Sequence, residues 1–350
     1  MRLPPLVGAG GTLLSERPKL KLAADKGEPN TMDTQTDCLL IGTAVADVLI
    51  RPVPLTQPVG GGRLLHAEPL VVTTGGLVCN TGVAMRRLGM RVAAASLVGE
   101  DLWATTIRES LSREGIDTAG LETRQSIATS STAVLIDPSG ERSFVHHVGG
   151  CAAIDLGFIR DRLDLFAASR WVLIGYIGLL PGLEADLAEA VRLIATTGCK
   201  VAIETAGDGG RLEQVAPALP HVDLYVPSLD EARAQTGRDD PRAIIEHYRS
   251  LGARGLIGVK LGTAGTLLSP AVDEWLEVPC LAAPGPVIDT TGAGDSLLAG
   301  LLTGLLRGLP VAEAGLLGAA TAACCVTGVG ATDGLRDYAA TCQVMEQAAG

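Results

Sequence analysis

The amino-acid sequence predicts an α/β fold in which a doubly wound, mostly parallel sheet carries helices on both faces. From residue 153 onward, apolar runs of strand length alternate with amphipathic helical stretches, an order typical of parallel sheets with helical crossovers. Gly, Ala, Leu and Val dominate the composition, as they do in sheets that are buried on both sides. With 47% hydrophobic residues in a chain of 350, a large core can form.

Hydrophobic periodicity places the elements of this fold along the chain. The predicted strands are residues 37–44, 92–98, 171–174, 200–204, 224–226, 256–260 and 266–268. The predicted helices are residues 103–114, 183–196, 230–236, 241–251 and 297–306, and residues 75–88 are expected to form a loop that leads into a further helix.

Two stretches differ from this alternation, at about residues 48–74 and 129–148. Both are rich in β-forming residues, and the second predicts a hairpin around the turn at 138–140. We expect them to form a small sheet that stands off the main body. Residues 1–33 are weakly patterned and are expected to be a disordered extension, which leaves residues 34–350 as one domain. The sequence leaves open whether the first 31 residues belong to the native protein.

Charge and cysteine usage exclude several classes of function. The net charge is −11 without a basic block, which argues against nucleic acid and anionic membrane surfaces as partners. No stretch reaches the ~18 apolar residues of a membrane span. The eight cysteines have irregular spacings and form no CxxC pair. We interpret them as reduced thiols of a cytoplasmic protein rather than as a zinc site.

The segment 289–300, DTTGAGDSLLAG, carries the most information about function. Gly292, Ala293 and Gly294 lead through Asp295 into an apolar helix, whose first N–H groups and dipole form a cradle for an anion. A carboxylate in such a cradle repels phosphate unless it takes a proton from a hydroxyl that attacks phosphorus. Locally, an aspartate that only caps the helix explains the same residues.

This segment resembles the second signature of the ribokinase-like (PfkB) carbohydrate kinases, D-T-T-G/A-A-G-D. The resemblance implies a ribokinase-like fold with the small sheet as a lid over the active site. It also implies an ATP-dependent phosphotransferase, with Asp295 as the catalytic base and Gly292–Gly294 as the anion hole. The motifs follow the family's order over roughly residues 37–345.

A second segment, 74–89, resembles the family's first motif, G-G-x-G-x-N followed by a helix. The resemblance implies that Gly75 and Gly76 let the substrate approach the backbone and that Asn80 bonds sugar hydroxyls. Val78 departs from the motif, because the family usually has a glycine or another small residue there.

Asp47 follows the first strand and matches the family's N-terminal aspartate, whose carboxylate accepts hydrogen bonds from two substrate hydroxyls. Ribokinases have Asn where this chain has Val45. They also place a substrate-binding Glu where this chain has residues 174–182, IGYIGLLPG. We therefore expect a pocket that is less polar than a ribose site.

The resemblance also implies sites for ATP and cations. Residues 259–265 look like the nucleotide-binding strand and turn of the family, and residues 324–334 look like the loop that closes the adenine pocket. The residues implied to contact ATP are Ser228, Lys260, Gly262, Gly265 and Gly294.

Residues 227–231, PSLDE, resemble the family's N-x-x-E element, which orders the Mg²⁺ shell. Glu231 is implied to act on Mg²⁺ through water, with Ser228 in place of Asn, although a helix cap explains the two residues equally well. Asp289 and Thr291 are implied to enclose a monovalent cation such as K⁺.

Three functions remain open on the sequence: a kinase of a free sugar, a kinase of a nucleoside or phosphosugar, and a sugar- or nucleoside-binding regulator without turnover. A phosphosugar needs a cationic side chain near the lid, and Arg63, Arg86 and Arg142 are available. We expect a small-molecule substrate together with ATP as partners, no nucleic acid or membrane, and a homodimer formed through the lid.

Overall fold

The computed structural model describes residues 35–56, 60–207 and 209–349. The expected N-terminal extension, residues 1–33, lies outside this part of the chain. Within it, the model contains thirteen β-strands and eleven α-helices.

The strands lie close to the predicted positions. They are β1 (Thr36–Gly42), β2 (Val45–Ile50), β3 (Val71–Gly75), β4 (Val92–Val98), β5 (Asp117–Thr123), β6 (Ser131–Ile136), β7 (Arg142–His147), β8 (Ser169–Ile177), β9 (Lys200–Thr205), β10 (Leu224–Tyr225), β11 (Leu256–Lys260), β12 (Thr266–Ser269) and β13 (Leu276–Val278). The sequence predicted neither β5 nor β13, and the DTAGLET sequence of β5 contains no apolar run that would reveal a strand.

The helices alternate with the strands, and α9 begins one turn before the predicted apolar run. They are α1 (Gly76–Arg87), α2 (Leu102–Arg113), α3 (Leu156–Arg160), α4 (Leu163–Ala167), α5 (Leu187–Ala195), α6 (Leu212–Val215), α7 (Leu229–Thr236), α8 (Pro241–Ser250), α9 (Ala293–Leu306), α10 (Val311–Cys325) and α11 (Tyr338–Ala349). No helix in the described residues combines the length and apolarity that crossing a membrane requires.

Nine strands form one large sheet in the order β13-β12-β11-β10-β9-β8-β1-β4-β5. The pairs β11–β12 and β12–β13 are antiparallel, and the other pairs are parallel. Alternate residues of β1 face opposite sides, so that Leu40 packs into one core and Leu39 and Ile41 into the other. The predicted α/β fold with helices on both faces is confirmed.

Each face of the large sheet buries its own core. Helices α1, α2, α9, α10 and α11 contribute to the first core, and helices α3 to α8 contribute to the second. The strand order reverses between β1 and β8, because the chain runs outward in both directions from these two neighbours. Such a reversal opens a crevice at the carboxyl ends of the strands, which is where ligands bind in open α/β sheets.

The other four strands form a second sheet in the order β3-β2-β6-β7, which we call the lid sheet. Only the two ends of the first β-rich stretch are strands here. Residues 51–56 and 60–70 contain none, because Pro52, Pro54 and Pro69 lack the N–H that a strand ladder uses.

Candidate active site

Helix α9 begins at a backbone position that favours glycine. Gly292, the residue before the helix, has φ of +76°, and a Cβ there would lie 2.5 Å from the Cβ of Ala331. The Ser296 N–H closes the first turn on the Gly292 carbonyl at 2.8 Å, and the Ala293 N–H donates to Thr290 O at 3.3 Å. The tight turn therefore fixes where α9 begins, and the anion cradle at this helix start stays a prediction.

The carboxylate of Asp295 lies in this first turn and is only 6% exposed. The Tyr176 hydroxyl donates to this carboxylate and lies 2.7 Å from Oδ1 and 2.6 Å from Oδ2. Asn80 Nδ2 donates to Oδ2 at 2.9 Å. Burial raises the pKa of Asp295, while the hydrogen bonds from Tyr176 and Asn80 oppose this rise. The result is an oriented carboxylate with the properties of a general base.

Tyr176 lies in residues 174–182, the stretch in which this chain lacks the substrate-binding Glu of ribokinases. Its neighbour Ile177 is 3% exposed and packs into the core. The two side chains pack against opposite cores at the end of β8, and the expectation of a pocket less polar than a ribose site stays a prediction. The contact with Asp295 joins residues 119 positions apart, and no local pattern announces it.

A buried ion pair lies behind the start of α9. Lys260, the last residue of β11, pairs with Glu204 of β9, and a Cβ on Gly294 would lie 3.4 Å from Lys260 Nζ. Burial favours a lower pKa for Lys260, but the carboxylates of Glu204 and Glu231 outweigh it and raise the pKa. The Lys260 amine therefore lies beside the predicted anion hole, with Glu204 as its buried partner. The sequence interpretation did not include Glu204.

Ser228 and Glu231 form the helix cap that the sequence allowed. The Ser228 N–H donates to Glu231 Oε2 at 2.7 Å, and the Glu231 N–H donates to Ser228 Oγ at 3.3 Å, at the start of α7. The charge of Glu231 also acts on Lys260 and Asp295. The cap therefore leaves Glu231 within electrostatic reach of the site.

The predicted substrate residues form a continuous path to Asp295. Asp47, on β2, lies so close to Gly75 that a Cβ there would meet its Oδ2 at 2.1 Å. Helix α1 begins at Gly76, and Asn80 follows one turn later with its amide nitrogen on Asp295. The Oδ1 atom of Asn80 is buried and has no hydrogen-bond partner, so it can accept from a substrate hydroxyl.

A polar row crosses the lid sheet at Asp47. Asp47 is in register with Thr132 of β6, and Thr132 is in register with His146 of β7. Burial raises the pKa of Asp47, and its hydrogen bond with Thr132 opposes the rise. Thr132 Oγ1 in turn lies 3.0 Å from His146 Nδ1. Sequence reasoning missed Thr132 and His146, because only the strand register brings them beside Asp47.

Asp289 and Thr291 lie together, and both are hydrogen-bonded to Arg142 of the lid sheet. Asp289 Oδ1 accepts the Thr291 N–H at 2.9 Å, and Oδ2 accepts the Gly330 N–H at 2.7 Å. The guanidinium of Arg142, the first residue of β7, donates to Asp289 Oδ2 and to Thr291 Oγ1. The assignment of a monovalent cation to these two residues stays a prediction.

The turn after β11 contains the two other glycines implied to bind ATP. A Cβ on Gly262 would meet nothing within 4 Å, so open space adjoins this position. Gly265 has φ of +94°, and a Cβ there would lie 2.1 Å from Val278 O. Gly265 is therefore needed for backbone packing, whereas Gly262 is exposed.

The cysteines and acidic residues form no evident metal centre. All eight cysteines are free thiols, and seven of them are buried. Within residues 35–56, 60–207 and 209–349, no group of three or more His, Cys, Asp or Glu side chains could hold a metal ion.

Comparison with known proteins identifies the family. Residues 35–337 match the model of the pfkB family of carbohydrate kinases. The chain is 27% identical over 314 residues to the ribokinase of Haemophilus influenzae, which covers 88% of this chain and 98% of the relative. It is 31% identical over 286 residues to the fructokinase of Klebsiella pneumoniae, with 77% and 85% covered.

The fold is shared with solved structures. The Arabidopsis thaliana ribokinase, solved with ribose and ATP, superposes with a TM-score of 0.79 at 21% identity, over 89% of this chain and 99% of that one. The family match spans most of the chain, and the curated relatives that it resembles are kinases of sugars. This chain belongs to the pfkB family of carbohydrate kinases.

Proposed function

We propose that this kinase transfers the terminal phosphoryl group of ATP to a hydroxyl of a small, unphosphorylated sugar-like substrate, with Asp295 as the catalytic base. One observation carries the proposal. The Asp295 carboxylate is buried in the first turn of α9, where Asn80 and Tyr176 orient it.

Asp295 takes the proton of the acceptor hydroxyl while the hydroxyl oxygen attacks phosphorus. The transferred group carries negative charge at that moment. Within the Gly292–Gly294 turn, the Ala293 N–H donates to Thr290 O, so the N–H groups of Gly292 and Gly294 and the Lys260 ammonium compensate this charge. Because these donors are fixed before the substrate arrives, little reorganisation is needed during the reaction.

The substrate lies between the lid sheet and the start of α1. Asp47 accepts hydrogen bonds from two hydroxyls, and the free Oδ1 of Asn80 accepts another. Gly75 and Gly76 allow the ligand to lie against the backbone. A buried carboxylate without partners is costly, so Asp47 favours a ligand with adjacent hydroxyls.

The residues present fit a nucleotide with Mg²⁺. Glu204 Oε2 is buried without a hydrogen-bond partner, and the charge of Glu231 acts on the same cluster. These carboxylates suit water molecules bound to Mg²⁺, a cation that prefers oxygen ligands and keeps much of its hydration. When bound, Mg²⁺ would neutralise charge on the phosphates, beside Lys260 and the open turn at Gly262.

Two of the three candidate arginines already have partners, which argues against a phosphosugar bound by either of them. Arg86 donates to Gly115 O at 3.2 Å, and Arg142 is paired with Asp289. Arg63 lies in residues 60–70, outside the lid strands.

One observation favours a nucleoside as a second candidate substrate. Phe144 is 62% exposed, and it lies two residues before His146 on the face of the lid sheet that carries Asp47. Phe144 could therefore contact an apolar or aromatic part of a ligand.

The opposite face of the lid sheet supports a homodimer. Its row of Val72, Val48, Ala133 and Val145 is apolar, and Val72 and Val145 are 47% and 64% exposed. We propose that this row pairs with a second copy of the chain. Light scattering on Val145→Lys should then show a smaller particle than wild type, and an unchanged mass would refute this.

Reduced thiols and use of ATP agree with a cytoplasmic location.

The deciding experiment measures ADP formation with ribose, fructose, 2-keto-3-deoxygluconate, adenosine and sugar phosphates. We expect turnover with an unphosphorylated substrate and a poor rate with ribose. Saturable ligand binding without ADP formation would instead support a regulator on this fold.

A further inference from the structure

Arg142 of the lid sheet contacts the loop before α9. Its guanidinium bonds Asp289 Oδ2 and Thr291 Oγ1. The Arg142 side chain is 19% exposed and that of Asp289 is 5% exposed, so water screens the pair little. The two residues are 147 positions apart in sequence, and the contact joins the lid to the loop that leads into Gly292–Gly294.

The Asp289 carboxylate does not fit a monovalent cation in this arrangement. Both of its oxygens already accept backbone N–H groups, from Thr291 at 2.9 Å and from Gly330 at 2.7 Å. Oδ2 also accepts a hydrogen bond from the Arg142 guanidinium. The charge and the coordination that a cation would provide are thus already supplied by the chain.

The neighbouring carbonyl oxygens are occupied as well. The Cys325 thiol donates to Thr291 O at 3.4 Å and to Ala331 O at 3.2 Å. Burial raises the pKa of Cys325 to about 11, so the thiol keeps its proton at neutral pH. A bound cation would compete with this S–H donor for the same two oxygens.

We infer that the Arg142 guanidinium takes the place of a monovalent cation at Asp289, and that this kinase works without K⁺. The inference rests on the proposed function, in which the Gly292–Gly294 turn is the anion hole. Arg142 is then a positioning residue that fixes the loop before this turn. Because Arg142 is part of the lid, the loop receives this charge only while β7 lies over it, which couples the position of the lid to the anion hole.

The test compares KCl with choline chloride at equal ionic strength. ADP is measured directly by chromatography, so that no coupling enzyme with its own K⁺ requirement enters. For wild type, we expect the same kcat and the same thermal unfolding midpoint in both salts. Arg142→Ala should lose about 10²-fold in kcat, the size typical for loss of one preorganised charge at such a site. Its sugar KM should change little.

Two further measurements separate positioning from general stability. Guanidinium ion, at concentrations far below denaturing ones, should restore part of the kcat of Arg142→Ala, and Arg142→Lys should retain part of it. Arg86→Ala is the matched control, because Arg86 lies on α1 and donates to Gly115 O at an exposed position, and it should behave like wild type.

The inference is overturned if K⁺ raises the kcat or the unfolding midpoint of wild type in a saturable way. It is also overturned if Arg142→Ala keeps its kcat, or if guanidinium restores none of the loss. If wild type forms no ADP with any substrate, the proposed function fails instead, and the effect of K⁺ on the unfolding midpoint still tests the inference.

Discussion

The carboxyl edge of the large sheet and the lid sheet face the same crevice but are built differently. Asp295, Tyr176 and Lys260 come from α9, β8 and β11, which are anchored in the two cores of the molecule. The lid sheet has four strands, carries exposed apolar side chains such as Phe144 and Val145, and is joined by residues without strand structure.

This difference suggests that the two regions have different functions, one in the chemical step and the other in substrate selection. Chemistry needs polar groups held in one geometry, and a buried network provides this because an unpaired partner would be costly. Selection of a substrate needs adaptable contacts, which the less buried lid can provide. Asp295 therefore represents the fixed region, and Asp47, at the base of the lid sheet, represents the selecting region.

The largest expected effect is on the fixed region. Asp295→Asn should lower kcat by about 10²–10⁴-fold, because the amide cannot accept the hydroxyl proton. The fold and ATP affinity should be retained, which circular dichroism and calorimetry can check. Asp230→Asn, at an exposed position on α7, is the control. Turnover close to wild type in Asp295→Asn would remove Asp295 from the role of base.

The next effect concerns the lid sheet. Asp47→Ala should weaken sugar binding by about 2–4 kcal/mol, because substrate hydroxyls lose a charged acceptor. ATP affinity should barely change. Calorimetric titration with each ligand separates the two, and an unchanged sugar affinity would show that the pocket lies elsewhere.

A smaller effect should appear in the pH dependence of Tyr176→Phe. The Tyr176 hydroxyl donates to both oxygens of Asp295 and so holds down a pKa that burial raises. Without this donor, worth about 1.5–3 kcal/mol to a charged acceptor, the pKa of Asp295 should rise further. The acidic limb of the kcat–pH profile should move to higher pH, with kcat on the alkaline plateau largely retained.

Tyr338→Phe is the matched control for this change. Tyr338 stacks on Arg307 at the C-terminal end of α9, whereas Asp295 lies in the first turn of that helix, so the substitution of Tyr338 should leave the profile unchanged. A limb that stays in place or moves to lower pH in Tyr176→Phe would contradict the assigned role of the hydroxyl.

The smallest effect is expected for Glu231→Gln. The amide can keep the cap on the Ser228 N–H but loses the charge, so the Mg²⁺ concentration needed for half-maximal rate should rise several-fold. The sugar KM should change less. Identical Mg²⁺ titrations in mutant and wild type would leave Glu231 with the capping role alone.

The same two regions differ in how far the sequence predicts them. The bounds of β4 and β11 and the tight turn into α9 follow from local patterns, namely continuous apolar runs and a glycine turn before an apolar helix. The contact between Arg142 and Asp289 could not be predicted, because the two residues meet only when the lid sheet packs against the loop before α9. A β-rich pattern over residues 51–56 and 60–70 was misleading, since prolines prevent strand pairing there.

The separate roles of Asp295 in chemistry and Asp47 in substrate selection can be tested in one pair of variants. For Asp295→Asn and Asp47→Ala, kcat and both KM values are measured with ATP and the best sugar substrate. We expect Asp295→Asn to lose kcat with both KM values little changed. Asp47→Ala should instead raise the sugar KM, with the ATP KM unchanged. If Asp295→Asn raised the sugar KM while keeping kcat, or if Asp47→Ala left the sugar KM unchanged, the division between a fixed catalytic edge and a selecting lid would be wrong.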